Sequence, residues 1–134
     1  MMTPEQRQIV TGLDAELVMQ LRQPGTGPAA RARRIALARQ ALGQGLAGKA
    51  IPLLAVLHRA APGDAELALL HGVALRLEQR LVEAVEVFAV AIAAGAADPA
   101  LLQGLAQTRY EVGLPAAQVF AEAQAANPAN LDIL

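Results

Sequence analysis

At 134 residues the chain is long enough for one domain with a proper core and short for two. Its net charge of -1, from nearly equal numbers of acids and bases, argues against a nucleic-acid binder, which needs a basic excess to displace counterions. Hydrophobic residues make up 54% and aromatics only 2%, an aliphatic mixture suited to close helix–helix contact rather than a β-sandwich, and zero cysteine removes disulfides, thiolate zinc sites and cysteine nucleophiles together.

The N-terminal run Met1-Met2-Thr3-Pro4-Glu5 has no apolar core resembling a signal peptide. The longest uncharged stretch, 87–97, is 11 residues and Ala-rich, too short to span a bilayer. These features describe a soluble, cytoplasmic protein with neither membrane nor nucleic acid as a partner.

Thr3-Pro4-Glu5-Gln6 is a well-formed helix start: Thr can cap, Pro suits the first helical position, and an acid favours the positive end of the dipole. Ile9, Val10, Leu13, Leu17 and Leu21 then give a helix-spaced apolar face. Pro24-Gly25-Thr26-Gly27-Pro28 ends it. Residues 1–23 thus read as a separable amphipathic helix, either a cap on the helices beyond it or an oligomerisation arm, with 24–30 as linker.

From residue 29 the pattern is helix, turn, helix. The expected helices are 29–42, stopped by Gly43 and Gly45, and 49–61, with Pro52 in its first turn where a missing N–H costs little. Pro62-Gly63-Asp64 makes the next turn, with Asp64 placed to cap a helix over 65–78, and a helix over 81–94 comes next. Asp98 and Pro99 repeat the cap logic for 99–112, Gly113 and Pro115 turn the chain, and 116–126 is the last full helix. Asn127-Pro128-Ala129-Asn130 closes it, and 131–134 starts a further element.

One phrase recurs in these helices: Ala50-x3-Leu54-x2-Leu57-x4-Pro62, then Ala84-x3-Phe88-x2-Ala91, then Ala116-x3-Phe120-x2-Ala123-x4-Pro128. Residues at i, i+4 and i+7 form one stripe on a helix. The copies are spaced by 34 and then 32 residues, a period that signals stacked helical units, none able to bury its apolar face alone.

These positions resemble the tetratricopeptide repeat, over residues 31 to 134. With units at 31–64, 65–98 and 99–130, Ala38, Gly72 and Ala106 stand at the family's small eighth position, and the recurring phrase matches its second-helix signature. The usual aromatic near the fourth position is absent, with Arg34, Ala68 and Leu102 there instead, and His71 replaces the usual Leu at the seventh. The resemblance implies an all-α fold: a right-handed array of antiparallel helix hairpins, a solenoid, with one extra N-terminal helix.

It also implies a concave groove lined by first helices. Carried onto this chain, that groove shows Ala32, Ile35, Arg39, Leu42 and Gly43, then Glu66, Leu69, Val73, Arg76 and Leu77, then Ala100, Gln103, Gln107, Tyr110 and Glu111. The floor is mainly apolar with Arg39, Arg76, Gln103, Gln107 and Tyr110 as polar handles, which suits an extended or helical peptide. Ile35 and Arg39 do not reproduce the Lys/Asn/Arg clamp with which some members grip a C-terminal carboxylate. Leu69, Val73 and Leu77 equally suit packing against another helix or a second copy, and Tyr110 is either a binding anchor or a packed ring.

Arg31-x-Arg33-Arg34 either attracts phosphate or acidic partners or is a solvated face. His58 and His71 lie in different units without partners at metal spacing and read as structural or exposed. Glu83 and Glu86, beside Arg80, read as an outer face. Gly43-x-Gly45-x-x-Gly48 follows a helix rather than a strand and is a turn; no P-loop or nucleophile elbow appears, so no catalysis, metal or cofactor is expected.

The leading expectation is a protein–protein interaction scaffold holding a peptide or partner protein. A second is the N-terminal organising or dimerisation module of a larger enzyme such as a transferase, suggested by the apolar start at 131–134 and by the repeats that precede transferase domains in the resembled family. A third is a homodimer that covers the apolar ends.

Overall fold

The computed structural model describes residues 2–22, 27–96, 98–114 and 117–126, and its regular elements are all α-helices. They are α1 (Pro4–Arg22), α2 (Pro28–Gly43), α3 (Ala47–Ala60), α4 (Ala65–Leu77), α5 (Leu81–Ala93), α6 (Pro99–Glu111) and α7 (Ala117–Ala126). Ala116, the side chain of Phe120, and 127–134 with the closing Pro128 and the expected further element lie outside the described residues, as does most of the linker, 23–26.

Local chemistry sets the helix ends. Thr3 Oγ1 accepts from the Gln6 N–H at 3.1 Å while Gln6 Oε1 accepts from the Thr3 N–H at 2.9 Å, a reciprocal capping box that starts α1. Asp64 Oδ1 accepts from the Leu67 N–H at 3.0 Å and Asp98 Oδ1 from the Ala100 N–H at 2.9 Å, capping α4 and α6. The start of α3 is capped from a distance: the Gly48 N–H donates to Glu78 Oε1 at 3.0 Å, across 30 residues of chain. Helices α2, α4, α5 and α6 stop alike, on a residue at positive φ (Gly45, Gln79, Gly95, Gly113). The next N–H in each case reaches back five residues, as from Leu46 to the Ala41 carbonyl at 2.8 Å and from Arg80 to the Leu75 carbonyl at 2.8 Å.

Two boundaries differ from expectation. Pro28 opens α2 instead of closing the linker, its fixed φ suiting the first helical position, and Ala30 is buried. Helix α3 begins at Ala47, because the Leu46 carbonyl already accepts from Lys49 and Ala50; Pro52 therefore stands inside the helix, one turn past its start. There it leaves the Gly48 carbonyl without its helical donor.

Every described helix packs on its neighbour in sequence, and α4 also lies against both α2 and α6. The recurring phrase supplies the core: Ala50, Leu54, Ala84, Phe88, Ala91 and Ala123 are fully buried, as are Ala38 and Ala106, and Gly72 is buried with them. Small residues here let helices approach closely, and at ~25 cal/mol per Å² of apolar area the long aliphatic side chains between them carry most of the hydrophobic stabilisation. The N-terminal helix, expected as a cap on the helices beyond it or an oligomerisation arm, contributes to this core. Leu13 and Leu17 are buried against α2 and α3, and Lys49 of α3 pairs with Asp14 at 3.6 Å.

Candidate functional site

The residues expected to meet a partner fall on α2, α4 and α6, the three helices in which α4 occupies the middle. Between α2 and α4 an open hollow of about 280 Å³ is lined by Ala32, Ile35, Arg39 and Glu66, with Arg31 at its edge. A second of about 280 Å³, between α4 and α6, is lined by Val73, Arg76, Leu77 and Glu111, with Gln79 from the turn after α4 and Leu81 from the start of α5.

Each hollow carries one ion pair across its seam. Arg39 and Glu66 are 3.6 Å apart and well exposed, while Arg76 and Glu111 meet at 2.5 Å with their side chains about one third exposed. Arg31 forms a further pair with Asp64, the residue that caps α4. The guanidinium groups on this face are thus matched by carboxylates of the neighbouring helix or turn. Between them the surface is apolar: Leu77 is 57% exposed, and Val73 is also exposed.

The structure thus brings Arg39 to Glu66 and groups Val73 with Arg76, whereas Leu69 is half-buried against the core and Ile35 is buried. Gln103 and Gln107 are half-buried on α6 and line neither hollow. Tyr110, at 69% exposure, is not a packed ring; it stands near the end of α6, in the last turn. Gln79 and Leu81 were not legible as lining residues, since they belong to the turn after α4 and the first position of α5 and not to a first helix of a unit. The offset of Glu111 from Arg76, 35 residues, is close to the repeat period and was the available signal for that pair.

The arginine cluster divides rather than forming one solvated face. Arg31 is held by Asp64, and Arg34 is buried at 8% exposure with its Nε donating to Gln20 Oε1 of α1 at 3.2 Å. His58 and His71, which lie in different units of the sequence, meet: Nδ1 of one lies 3.3 Å from Nδ1 of the other, with the rings edge to face at 5.5 Å between centroids. They meet because α3 and α4 run back against each other around the turn at 61–64, which brings residues 13 apart into contact. His58 Nε2 lies 3.3 Å from the Pro62 carbonyl, and His71 is pushed down to about 4 by burial, then by the nearby charges of His58 and Arg80, against the opposing pull of Glu83.

Among the described residues no group of three His, Asp or Glu could hold a metal ion, and no helix is long and apolar enough to cross a membrane. Arg80 is engaged with Glu83, its Nε donating to Oε1 at 2.9 Å, so Glu83 on that outer face pairs with a base. No family model matches the chain, and no curated protein sequence is significantly similar to it.

Proposed function

We propose that this chain is a protein-interaction module of the tetratricopeptide kind, a right-handed stack of helix hairpins whose first helices form a concave groove for a partner's peptide segment. It performs no chemistry of its own. The observation that carries the reading is the placement of two open hollows on the two seams of α2, α4 and α6, each with apolar side chains beside a closed Arg–Glu pair.

The partner's chemistry is set by those pairs. Arg39 and Arg76 already have carboxylates within reach, so an acidic ligand must displace Glu66 or Glu111 to use them. Exposed Val73 and Leu77, with Tyr110 near the end of α6, offer apolar area that gains by being covered. The groove therefore favours a segment of low charge that sets aliphatic or aromatic side chains into the hollows, and its affinity should respond weakly to salt.

A random peptide library displayed on phage tests this directly. Selection on the wild-type chain, with counter-selection on a Val73→Glu/Leu77→Glu double variant, should enrich apolar sequences of low net charge. Purified peptides from that pool should bind the wild type and lose about tenfold or more in the variant, the scale expected for losing a buried anchor. Both substituted positions are exposed, so the variant should keep its helical content. Failure to enrich any sequence, or peptides that bind the two proteins equally, would remove the groove from the proposal.

A further inference from the structure

The contact between His58 and His71 lies outside the hollows of α2, α4 and α6, and its hydrogen bonds define a tautomer for each ring. A carbonyl can only accept, so the Nε2 that faces the Pro62 carbonyl carries the hydrogen on His58. In the neutral ring Nδ1 of His58 is then a bare acceptor, and the hydrogen between the rings belongs to Nδ1 of His71. The chain of donors runs from α4 to α3 and on to the turn: His71 Nδ1–H to His58 Nδ1, and His58 Nε2–H to the Pro62 carbonyl.

That turn matters for the other side of the molecule. Two residues after Pro62, Asp64 caps α4 through the Leu67 N–H at 3.0 Å and accepts from Arg31 at the edge of the α2–α4 hollow. A first proton taken up by the pair leaves an N–H facing a lone pair, whichever ring carries the charge. A second proton leaves no acceptor: two N–H groups and two like charges face each other at 3.3 Å. We propose that the His58–His71 pair is an acid-released clasp, which holds α3 on α4 and, through the turn between them, keeps Asp64 set between the α4 N-terminus and Arg31.

The charged groups around the pair come from two elements. Arg59 of α3 lines the same surface depression as both rings, and Arg80 and Glu83 act on His71 from the start of α5. Burial, His58 and Arg80 oppose the charge on His71, and Glu83 favours it. Because folded His71 sits at about 4, below its ordinary value of 6.5, the unfolded chain binds this proton first. The clasp therefore contributes fully above pH 6.5, and its contribution is lost as the pH falls toward 4. The clasp stands whether or not the hollow takes a partner.

Histidine ring NMR on the isotope-labelled chain, titrated from pH 7.5 to 3.5, tests the clasp together with hydrogen exchange at the Leu67 amide. At neutral pH His71 should be the Nδ1–H tautomer and His58 the Nε2–H tautomer, and His71 should take its proton well below pH 6. Over the same window the Leu67 amide, corrected for intrinsic exchange, should open about tenfold more often, a figure reduced from the full linkage because His71 is partly solvated. His71→Leu should flatten that rise, while protonation of Asp64 itself affects both proteins alike. His71 titrating near 6.5, or equal loss of Leu67 protection in wild type and His71→Leu, would overturn the clasp. Should the variant not fold, the wild-type tautomers and the His71 midpoint decide the matter alone.

Discussion

The ring of Phe88 occupies the space that a side chain on Gly72 would need: a Cβ placed there would lie 2.3 Å from both Cε1 and Cζ. The same ring passes Gly104 on α6, where an added Cβ would stand 3.0 Å from Cζ. Phe88 on α5 is thus seated in a notch made by glycines of α4 and α6, and it is fully buried. This is the point at which three helices share one side chain.

The notch predicts opposite outcomes for two chemically identical substitutions. Alanine is the better helix former by about 1 kcal/mol, so each glycine-to-alanine change begins with a gain. For Gly72→Ala the ring must leave its site, and overpacking should outweigh the gain, for a net loss of about 2 kcal/mol or more. For Gly104→Ala a shift of a few tenths of an ångström suffices, and stability should stay within about 1 kcal/mol of wild type. Urea unfolding midpoints check both. Adding Phe88→Leu to Gly72→Ala should recover part of the loss, a coupling expected only if the two groups touch.

Gln79 is at φ 60, in the place where three other helix ends have glycine. A side chain in the left-handed region crowds its own backbone, at a cost of about 1 kcal/mol. Gln79→Gly should therefore raise the unfolding free energy by about 0.5–1 kcal/mol, less what glycine adds to the freedom of the unfolded chain. Thermal unfolding followed by circular dichroism measures this. Since Gln79 also lines the α4–α6 hollow, peptide affinity in the same variant reports separately on its side chain.

The cap residues allow a graded comparison. Asp64 and Asp98 each cap a helix, but Asp64 also accepts from Arg31 and sits in the turn held by His58. Asp98→Ala should cost about 1 kcal/mol, the ordinary value of an N-cap. Asp64→Ala should cost more, about 1.5–2 kcal/mol, with amide protection lost first at the start of α4. Equal losses would mean that the Arg31 contact adds nothing.

The features legible in the sequence were those written in short-range chemistry. Asp64 and Asp98 each act within three residues of themselves, and the stripe of Ala84, Phe88 and Ala91 follows from helical spacing alone. What escaped depends on the angle at which two helices meet. His58 and His71 touch only because α3 and α4 fold back on each other, and Glu78 reaches Gly48 across 30 residues. Arg34 looked solvated because its partner, Gln20, belongs to α1, whose apolar periodicity gave it a docking face but not the helices it docks against. Tyr110 lies in the last turn of α6, and whether such a ring is covered is decided by the next element rather than by its own helix.

The two ion pairs of the candidate face differ enough to be ranked. Arg76 and Glu111 meet at 2.5 Å with side-chain exposures of 31% and 35%, whereas Arg39 and Glu66 are 3.6 Å apart at 57% and 49%. Water screens the second pair almost completely, and ordering two long side chains offsets what attraction remains. A double-mutant cycle on Arg76→Ala and Glu111→Ala should give a coupling of about 0.5–1 kcal/mol that shrinks as salt is raised, against roughly 0–0.3 kcal/mol for Arg39→Ala and Glu66→Ala. If the Arg76 pair also guards its hollow against acidic ligands, Glu111→Gln should admit them. Selected peptides carrying one added carboxylate would then bind that variant better than wild type, and an unchanged preference would show that the pair braces the helices without filtering charge.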